Sequence, residues 1–223
     1  MHHIQRKILS LLMHAPALRY AQLRPMGIES NHFAYHLEQL IRGGLIAKQD
    51  KDYLLTSEGL ALADRISHGD IAVRKQPHIV TTICVTNDKG EIALFRHTFQ
   101  PYLQLVGFPQ GRLHYDEDIQ SAAVRELFEK TGLQGISLIH RGMAYIHARK
   151  SGVDISRLMA HVFTGVVQGT PALSTAMPLK GKPFWSAVDD LDGSTCMPGF
   201  WEIKKLLDEP PGQLFFSGIQ ADM

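Results

Sequence analysis

The stretch GRLHYDEDIQSAAVRELFEKTGL, residues 111–133, limits the fold more than any other part of the chain. A glycine, the acidic run Asp116, Glu117 and Asp118, and then apolar and charged residues at helical spacing read as a loop feeding a helix. The acids fall where the positive end of the helix dipole favours them. The spacing predicts a helix over 119–130, stopped before Gly132, since a glycine tolerates the left-handed backbone of a helix end. Glu126, Glu129 and Lys130 stand at i, i+3 and i+4, so they project from one face. Ala123, Val124 and Leu127 are expected on its buried side.

Strand patterns surround that helix. IVTTICVTNDKGEIALFRH is two β-rich runs around Asn87-Asp88-Lys89-Gly90, a hairpin turn. GMAYIHA and ISRLMAHVFTGVV read as strands flanking the loop Arg149-Lys150-Ser151-Gly152. FWSAVDDL suggests a last strand or turn, and FWEIKKLLDE a closing helix followed by a tail. Strands mixed with a few helices predict an α/β sandwich with a mixed sheet.

Before residue 67 the periodicity is different. Ile4, Ile8, Leu11 and Leu12 make the stripe of an amphipathic helix. A short helix over 20–24 would be stopped by Pro25. A third begins with Ser30 as its N-cap, buries Phe33, Leu37, Leu40 and Ile41, and ends at Gly43 and Gly44. Two short strands, 45–48 and 53–55, surround a polar turn, and a further helix covers 57–65. The polar stretch SHGDIAVRKQP near 67–77 reads as a linker. The expected organisation is a small domain over 1–68, a linker over 69–77 and a larger domain over 78–223.

Composition narrows the class. With 44% hydrophobic and 20% charged residues, the 223-residue chain has ample apolar material for a core. No apolar run approaches the roughly 20 residues that cross a bilayer. Arg6 and Lys7 interrupt the N-terminal apolar pattern, and no small-residue cleavage site follows, so a signal peptide is not expected. Two cysteines, Cys84 and Cys196, make neither a disulfide framework nor a zinc spacing, and the cytoplasm is the expected compartment. A net charge of +1 gives no strong general attraction for nucleic acid.

Two resemblances follow from these motifs. The run YHLEQLIRGGLIAK…DYLLTSEG resembles the winged helix-turn-helix of bacterial repressors over residues 4–66. On a helical wheel Asn31, Tyr35, Gln39 and Arg42 lie opposite the buried stripe, with His32 and His36 at its flank. The resemblance implies that this face meets the major groove of double-stranded DNA, commonly as a homodimer. Asparagine and glutamine suit adenine edges, and arginine suits guanine or phosphate. Residues 1–70 carry eight basic against seven acidic side chains, so the alternative is a solvated face used for protein contacts.

The second resemblance is to the Nudix family, marked by G-x5-E-x7-R-E-U-x-E-E-x-G-U with U a bulky aliphatic residue. Gly111, Glu117, Arg125, Glu126, Leu127, Glu129, Gly132 and Leu133 match it. Lys130 stands where the second glutamate of the E-E pair belongs. The resemblance implies a Nudix α/β/α sandwich over residues 78–209, with Glu126 and Glu129 as ligands of Mg2+ (or Mn2+). It makes Glu117 and Arg125 part of the catalytic set, and Gly111 and Lys130 part of the ligand site. An ammonium cannot coordinate the ion and repels it. Lys130, four residues after Glu126, has the orientation for a helical ion pair and would take the metal's place. Hydrolysis is then lost or weak unless Asp116, Asp118 or a later acid substitutes. His114, where many relatives carry an acid, reads as a loop residue. His140, His147 and His161 read as strand or loop histidines without a ligand partner.

A winged helix joined to a Nudix domain resembles the Nudix-related transcriptional regulators, some of which sense ADP-ribose and its kin. Those carry the two domains in the opposite order. The expectation is a DNA-binding regulator whose Nudix-like domain binds a nucleoside-diphosphate metabolite. The alternatives are a working Mg-dependent hydrolase of such compounds and a protein-interaction module.

Overall fold

The computed structural model describes residues 1–65, 76–210 and 214–222, and the chain divides into two compact units, Met1–Lys75 and Gln76–Met223. Most of the stretch expected as a linker lies outside the described residues.

In the first unit α1 (His3–Leu12) buries Ile4, Ile8, Leu9 and Leu12. Leu9 takes the inward place expected of Leu11, which stays partly exposed. A two-residue strand β1 (Leu18–Arg19) and the short α2 (Tyr20–Leu23) precede α3 (Ser30–Arg42). Glu29, not Ser30, is the N-cap of α3. The Ser30 hydroxyl and carbonyl instead meet the Tyr20 hydroxyl, both at 3.2 Å. Phe33, Leu37 and Leu40 face the core as expected; the fourth buried residue is His36, while Ile41 packs against that core only partly buried.

Gly43 closes α3, with its N–H on the Gln39 carbonyl. The hairpin β2 (Ile46–Gln49) and β3 (Asp52–Leu55) then turns at Asp50, whose φ is 56°. β1 pairs with the free edge of β3, giving the order β1-β3-β2. Thr56 starts α4 (Ser57–Arg65) by accepting the Gly59 N–H at 3.1 Å.

The second unit is one mixed sheet between helices. Its path begins with β4 (His78–Thr86) and β5 (Ile92–His97). Asn87 holds their turn by accepting the Lys89 and Glu91 N–H groups, each at 3.0 Å. The hairpin opens at once, since Thr86 and Ile92 are the only partners the two strands share. The short β6 (Val106–Gly107) lies on β5, and β7 (Gln110–Arg112) lies on β4.

After α5 (Ile119–Thr131) come the long antiparallel pair β8 (Ile139–Lys150) and β9 (Val153–Val166). They are followed by β10 (Gly181–Ser186), α6 (Phe200–Asp208) and β11 (Phe215–Asp222). The main path runs β10-β5-β4-β9-β8-β11, with β4–β9 and β8–β11 parallel.

Alternation along β4 shows why two cores form. Val80 and Cys84 point to the cluster holding Phe200 and Ile203 of α6. Ile83 and Val85 point to the cluster holding Ala123 and Leu127 of α5. A strand covered on both faces has to be apolar at nearly every position, which explains the run IVTTICV. Val124 is 48% exposed, against its expected burial, while Glu126 and Lys130 are buried.

The tail beyond α6 is the largest departure from the sequence reading. Residues 215–222 form a strand parallel to β8, with Ile219 in the α6-side core. A chain ended after Glu209 would bare the edge of β8 and lose the burial of Ile219, which contributes about 2 kcal/mol. The expected outcome is a lower melting temperature and concentration-dependent association, read by thermal denaturation and light scattering. An unchanged profile would show that β11 adds nothing.

Candidate functional site

β7, the loop after it and α5 bring one charged network together. Asp118 caps α5 by accepting the Ser121 N–H at 2.9 Å and its hydroxyl at 2.6 Å. That task removes Asp118 from the acids able to replace a missing ligand. Arg125 grips Glu117 with both arms of its guanidinium, Nη2 to Oε1 at 2.5 Å and Nε to Oε2 at 2.9 Å. It also donates to Glu126 Oε1 at 2.7 Å and to the Arg112 carbonyl at 3.1 Å. The His114 N–H donates to Glu117 Oε1 at 2.7 Å. The Arg125 hydrogen bond chiefly, with that backbone N–H, holds the Glu117 carboxyl down at about 2 against the opposing effect of burial.

Gly111 is required by this arrangement for a steric reason. A Cβ there would lie 1.8 Å from Glu126 Cδ, so only glycine lets β7 run directly beneath the carboxylate. Gly132 closes α5 at a φ of 75°.

Lys130 does not behave as its helical spacing suggests. Among the described residues it forms no ion pair with Glu126 or Glu129. Its Nζ lies 3.8 Å from Met177 Sδ and 5.0 Å from the centre of the Phe95 ring. The ring face offers a cation partial compensation for lost water. Burial lowers the Lys130 pKa, and Lys180 and Arg125 add to that, while Glu126 and Glu129 oppose it. Arg125 is the residue that neutralises the acidic face, through Glu126 and, at 3.5 Å, Glu129 Oε2. An arginine bound to Glu117 thus does the pairing expected of the lysine.

Two oxygens remain. Glu126 Oε2 and Glu129 Oε2 are buried and lack a hydrogen-bond partner among the described residues. The 3.5 Å approach of Arg125 to the latter is electrostatic, too long for a good hydrogen bond. Buried carboxylate oxygens left unbonded are costly unless a cation meets them. Magnesium is commonly held by one or two carboxylates, with water and phosphate oxygens at its other positions. Glu126 and Glu129 fit a hard divalent ion in that manner, and Lys130 contributes no third ligand.

His97, on β5, was not foreseen. It is 7% exposed, both its ring nitrogens lack partners among the described residues, and burial and then Lys130 bring its pKa down to about 4. Nothing in the sequence marks it, because only the fold brings β5 beside the end of α5. His140 and His161 also meet unexpectedly, their ring nitrogens 3.2 Å apart across β8 and β9. His147 is bound to Asp154 at 2.6 Å.

In the first unit Asn31, Tyr35 and Arg42 are exposed and Gln39 is half-buried, all on α3. Arg42 is paired with Glu38 at 2.7 Å, an exposed contact contributing only some tenths of a kcal/mol and readily exchanged. The described residues hold no helix long and apolar enough to cross a membrane.

A mixed sheet covered on both faces, with a carboxylate-bearing helix buttressed by an arginine and a glycine-backed strand, defines an α/β sandwich built around acidic oxygens. The chain belongs to the NUDIX domain family, whose profile matches residues 76–200. Its fold is similar to the NUDIX domain of NrtR from Shewanella oneidensis, solved with ADP ribose, at a TM-score of 0.51 and 16% identity, covering 68% of this chain and 97% of that one. It is also similar to a bifunctional NMN adenylyltransferase/ADP ribose pyrophosphatase from Francisella tularensis, at a TM-score of 0.50 and 17% identity, covering 81% of this chain and 52% of that one. The MutT protein of Bacillus halodurans aligns at a TM-score of 0.50 and 20% identity, over 64% of this chain and 89% of its own. At these identities the likeness is one of fold. No curated protein matches the sequence.

The low pKa of Glu117 gives a prediction. Its folded value, about 2, lies below its ordinary 4.5, so its contribution to stability is present above pH 4.5 and is lost as pH falls towards 2. Glu117→Gln is expected to lower the stability of the unit by about 2 kcal/mol at pH 7, after allowance for solvent screening. The deficit should shrink to nothing near pH 2. Urea unfolding of both proteins between pH 3 and 7 measures it, and a pH-independent difference would disprove the ionic role.

Proposed function

We propose that this chain is a DNA-binding transcriptional regulator whose NUDIX domain binds a nucleoside-diphosphate-type metabolite and hydrolyses it weakly or not at all. The observation that carries this reading is the placement of Lys130. Where the family's motif has a further carboxylate, this helix sends an ammonium into a slot between Phe95 and Met177 and leaves two glutamates to face any ion. One of them, Glu126, is already held through Oε1 by Arg125. Lys130 adds a positive charge near Glu126 and Glu129 and no ligand, so the hold of this pocket on a metal is reduced. A domain of this fold holds ADP ribose in the NrtR structure, so a nucleoside diphosphate joined to a further group is the ligand class to test first.

The first unit is proposed to be a winged helix-turn-helix. Its helices, followed by the β2–β3 hairpin, support this, and α3 offers Asn31, Tyr35, Gln39 and Arg42 to the major groove. The proposed assembly is a homodimer on a two-fold-symmetric DNA site, and the proposed domains are residues 1–68 and 78–223 joined by 69–77.

A second reading, a working hydrolase with an accessory DNA-binding unit, is favoured by the two unbonded carboxylate oxygens. A magnesium or manganese ion held by Glu126 and Glu129 would screen the diphosphate charge and lower the pKa of an attacking water. Glu117 then fixes Arg125, and Arg125 orients Glu126.

Calorimetry with ADP-ribose, with and without magnesium, combined with a product assay, separates the readings. The regulator binds saturably with little dependence on magnesium and releases little product. Lys130→Glu removes one positive charge and adds a carboxylate beside Glu126 and Glu129. It is expected to raise magnesium affinity at least about tenfold, since a charge at a few Å contributes a few kcal/mol even at an effective dielectric near 20. Brisk magnesium-dependent turnover by the native chain, reduced in Lys130→Glu, would make the lysine a catalytic residue and the enzyme reading correct.

For DNA, Arg42→Ala is expected to weaken a selected site by about 1–3 kcal/mol. Alanine at all four of Asn31, Tyr35, Gln39 and Arg42 should remove specific binding in a mobility-shift titration. Unchanged affinity in that quadruple variant would refute the face.

A further inference from the structure

Away from the NUDIX site, three imidazoles gather where α1 begins beside α3. His32 and His36 are four residues apart on α3, the spacing that stacks two side chains on one helical face. Their Nε2 atoms are 3.2 Å apart. A tetrahedral ion about 2.0–2.1 Å from each of two nitrogens holds them about 3.3 Å apart, so this pair is already at the separation a shared zinc would impose. His2 completes the group. Its ring lies 4.0 Å from that of His36 and 5.7 Å from that of His32. Each of the three residues offers a ligand nitrogen, and these atoms all lie within 4.8 Å of one another.

From this geometry we infer that His2, His32 and His36 form a binding site for a divalent transition metal, zinc first among them. All-imidazole donors suit zinc, copper and nickel rather than the magnesium of the carboxylate site. Burial first, and then the neighbouring imidazoles, lower the pKa of His2 and of His36, which favours the neutral form that metal binding requires. His36 is 7% exposed and its Nδ1 is unpartnered, so its ring is held by packing and by the one hydrogen bond its Nε2 shares with His32, which an ion between the two nitrogens would replace. His2 is the adjustable ligand. Its Nδ1 caps α1 by accepting the Ile4 N–H at 3.3 Å, so binding the ion through Nε2 moves the ring proton to Nδ1 and gives up that cap as the exposed ring turns out of its stack on His36. Three nitrogens leave a fourth position for water or for His3, whose ring centre is 4.2 Å from that of His2. Arg6, whose charge also acts on His2, weakens the site without blocking it.

The test uses the full chain without any polyhistidine tag, titrated calorimetrically with Zn2+ and, for its visible spectrum, Co2+. Excess Mg2+ is present to occupy the NUDIX carboxylates. The expected result is one ion per chain, a Zn2+-dependent rise in melting temperature, and the intense visible absorption of tetrahedral Co2+. His2→Ala and His32→Ala, both at exposed positions, each weaken binding at least about tenfold, the loss that even an outer-shell partner commonly causes. Glu129→Gln leaves this binding unchanged. Zinc affinity that survives both histidine variants but falls in Glu129→Gln would place the ion in the NUDIX domain and overturn the proposal. So would the absence of zinc binding to the intact chain. Circular dichroism of His32→Ala and of the more conservative His32→Asn separates a lost ligand from a lost fold.

Discussion

Arg125 is the residue on which the site depends. Its guanidinium spans the Glu117 carboxylate on the loop, Glu126 on its own helix and the carbonyl of Arg112 at the end of β7. Those contacts join three chain segments and fix which oxygens of the acidic face are left over. A planar fork with five donors can do this, and a lysine could not, because an ammonium is a point charge without a bidentate face. The pairing needs close approach of β7, and Gly111 permits it by leaving no atom where the Glu126 carboxylate lies. Two positions fourteen residues apart in sequence, Gly111 and Arg125, are thus parts of one device.

The lysine at position 130 changes what this arginine-held face can bind. Placing an ammonium among carboxylates can end in an ion pair or in burial elsewhere. Here the side chain lies against Phe95 and Met177, so the acidic face loses one ligand without having its charge cancelled by the newcomer. Desolvation weakens the ammonium, as its lowered pKa shows, and the same low-dielectric slot keeps His97 neutral nearby. With Arg125 engaged by Glu117 and Glu126, the face keeps two carboxylates for an ion where the family's motif has one more. This asymmetry underlies the proposed shift from turnover to sensing.

The first unit draws on different physics. Its core is a narrow stripe on each helix, with Phe33 and Ile8 fully buried. The charge on its surface is nearly balanced, so any affinity for DNA would rest on the shape and hydrogen-bonding groups of α3 more than on a general field. The histidines at its other flank are crowded because α1 starts beside the middle of α3, a meeting that neither helix specifies alone.

Local pattern in the sequence was enough for much of this. The span of α5, its stop at Gly132, the strands β4, β8 and β9 and the helices α1, α3, α4 and α6 follow from periodicity and turn residues, which act over a few neighbours. The Gly111–Leu133 spacing was likewise enough to mark the family, because those side chains must meet on one turn and one helix. Other features needed the folded chain. The strand β11 is too polar in alternation to announce itself, and exists because β8 has an edge to offer. Val124 and His36 exchanged their expected environments because burial depends on what packs against a helix, not on its own stripe. The partners of Arg125 and Lys130 were decided the same way. Helical spacing makes Glu126 and Lys130 neighbours, but Glu117 captured the arginine that then took Glu126, and Phe95 and Met177 gave the lysine another place. Sequence sets which groups are near along the chain. The tertiary structure sets which of them are desolvated together, and electrostatic pairing follows desolvation.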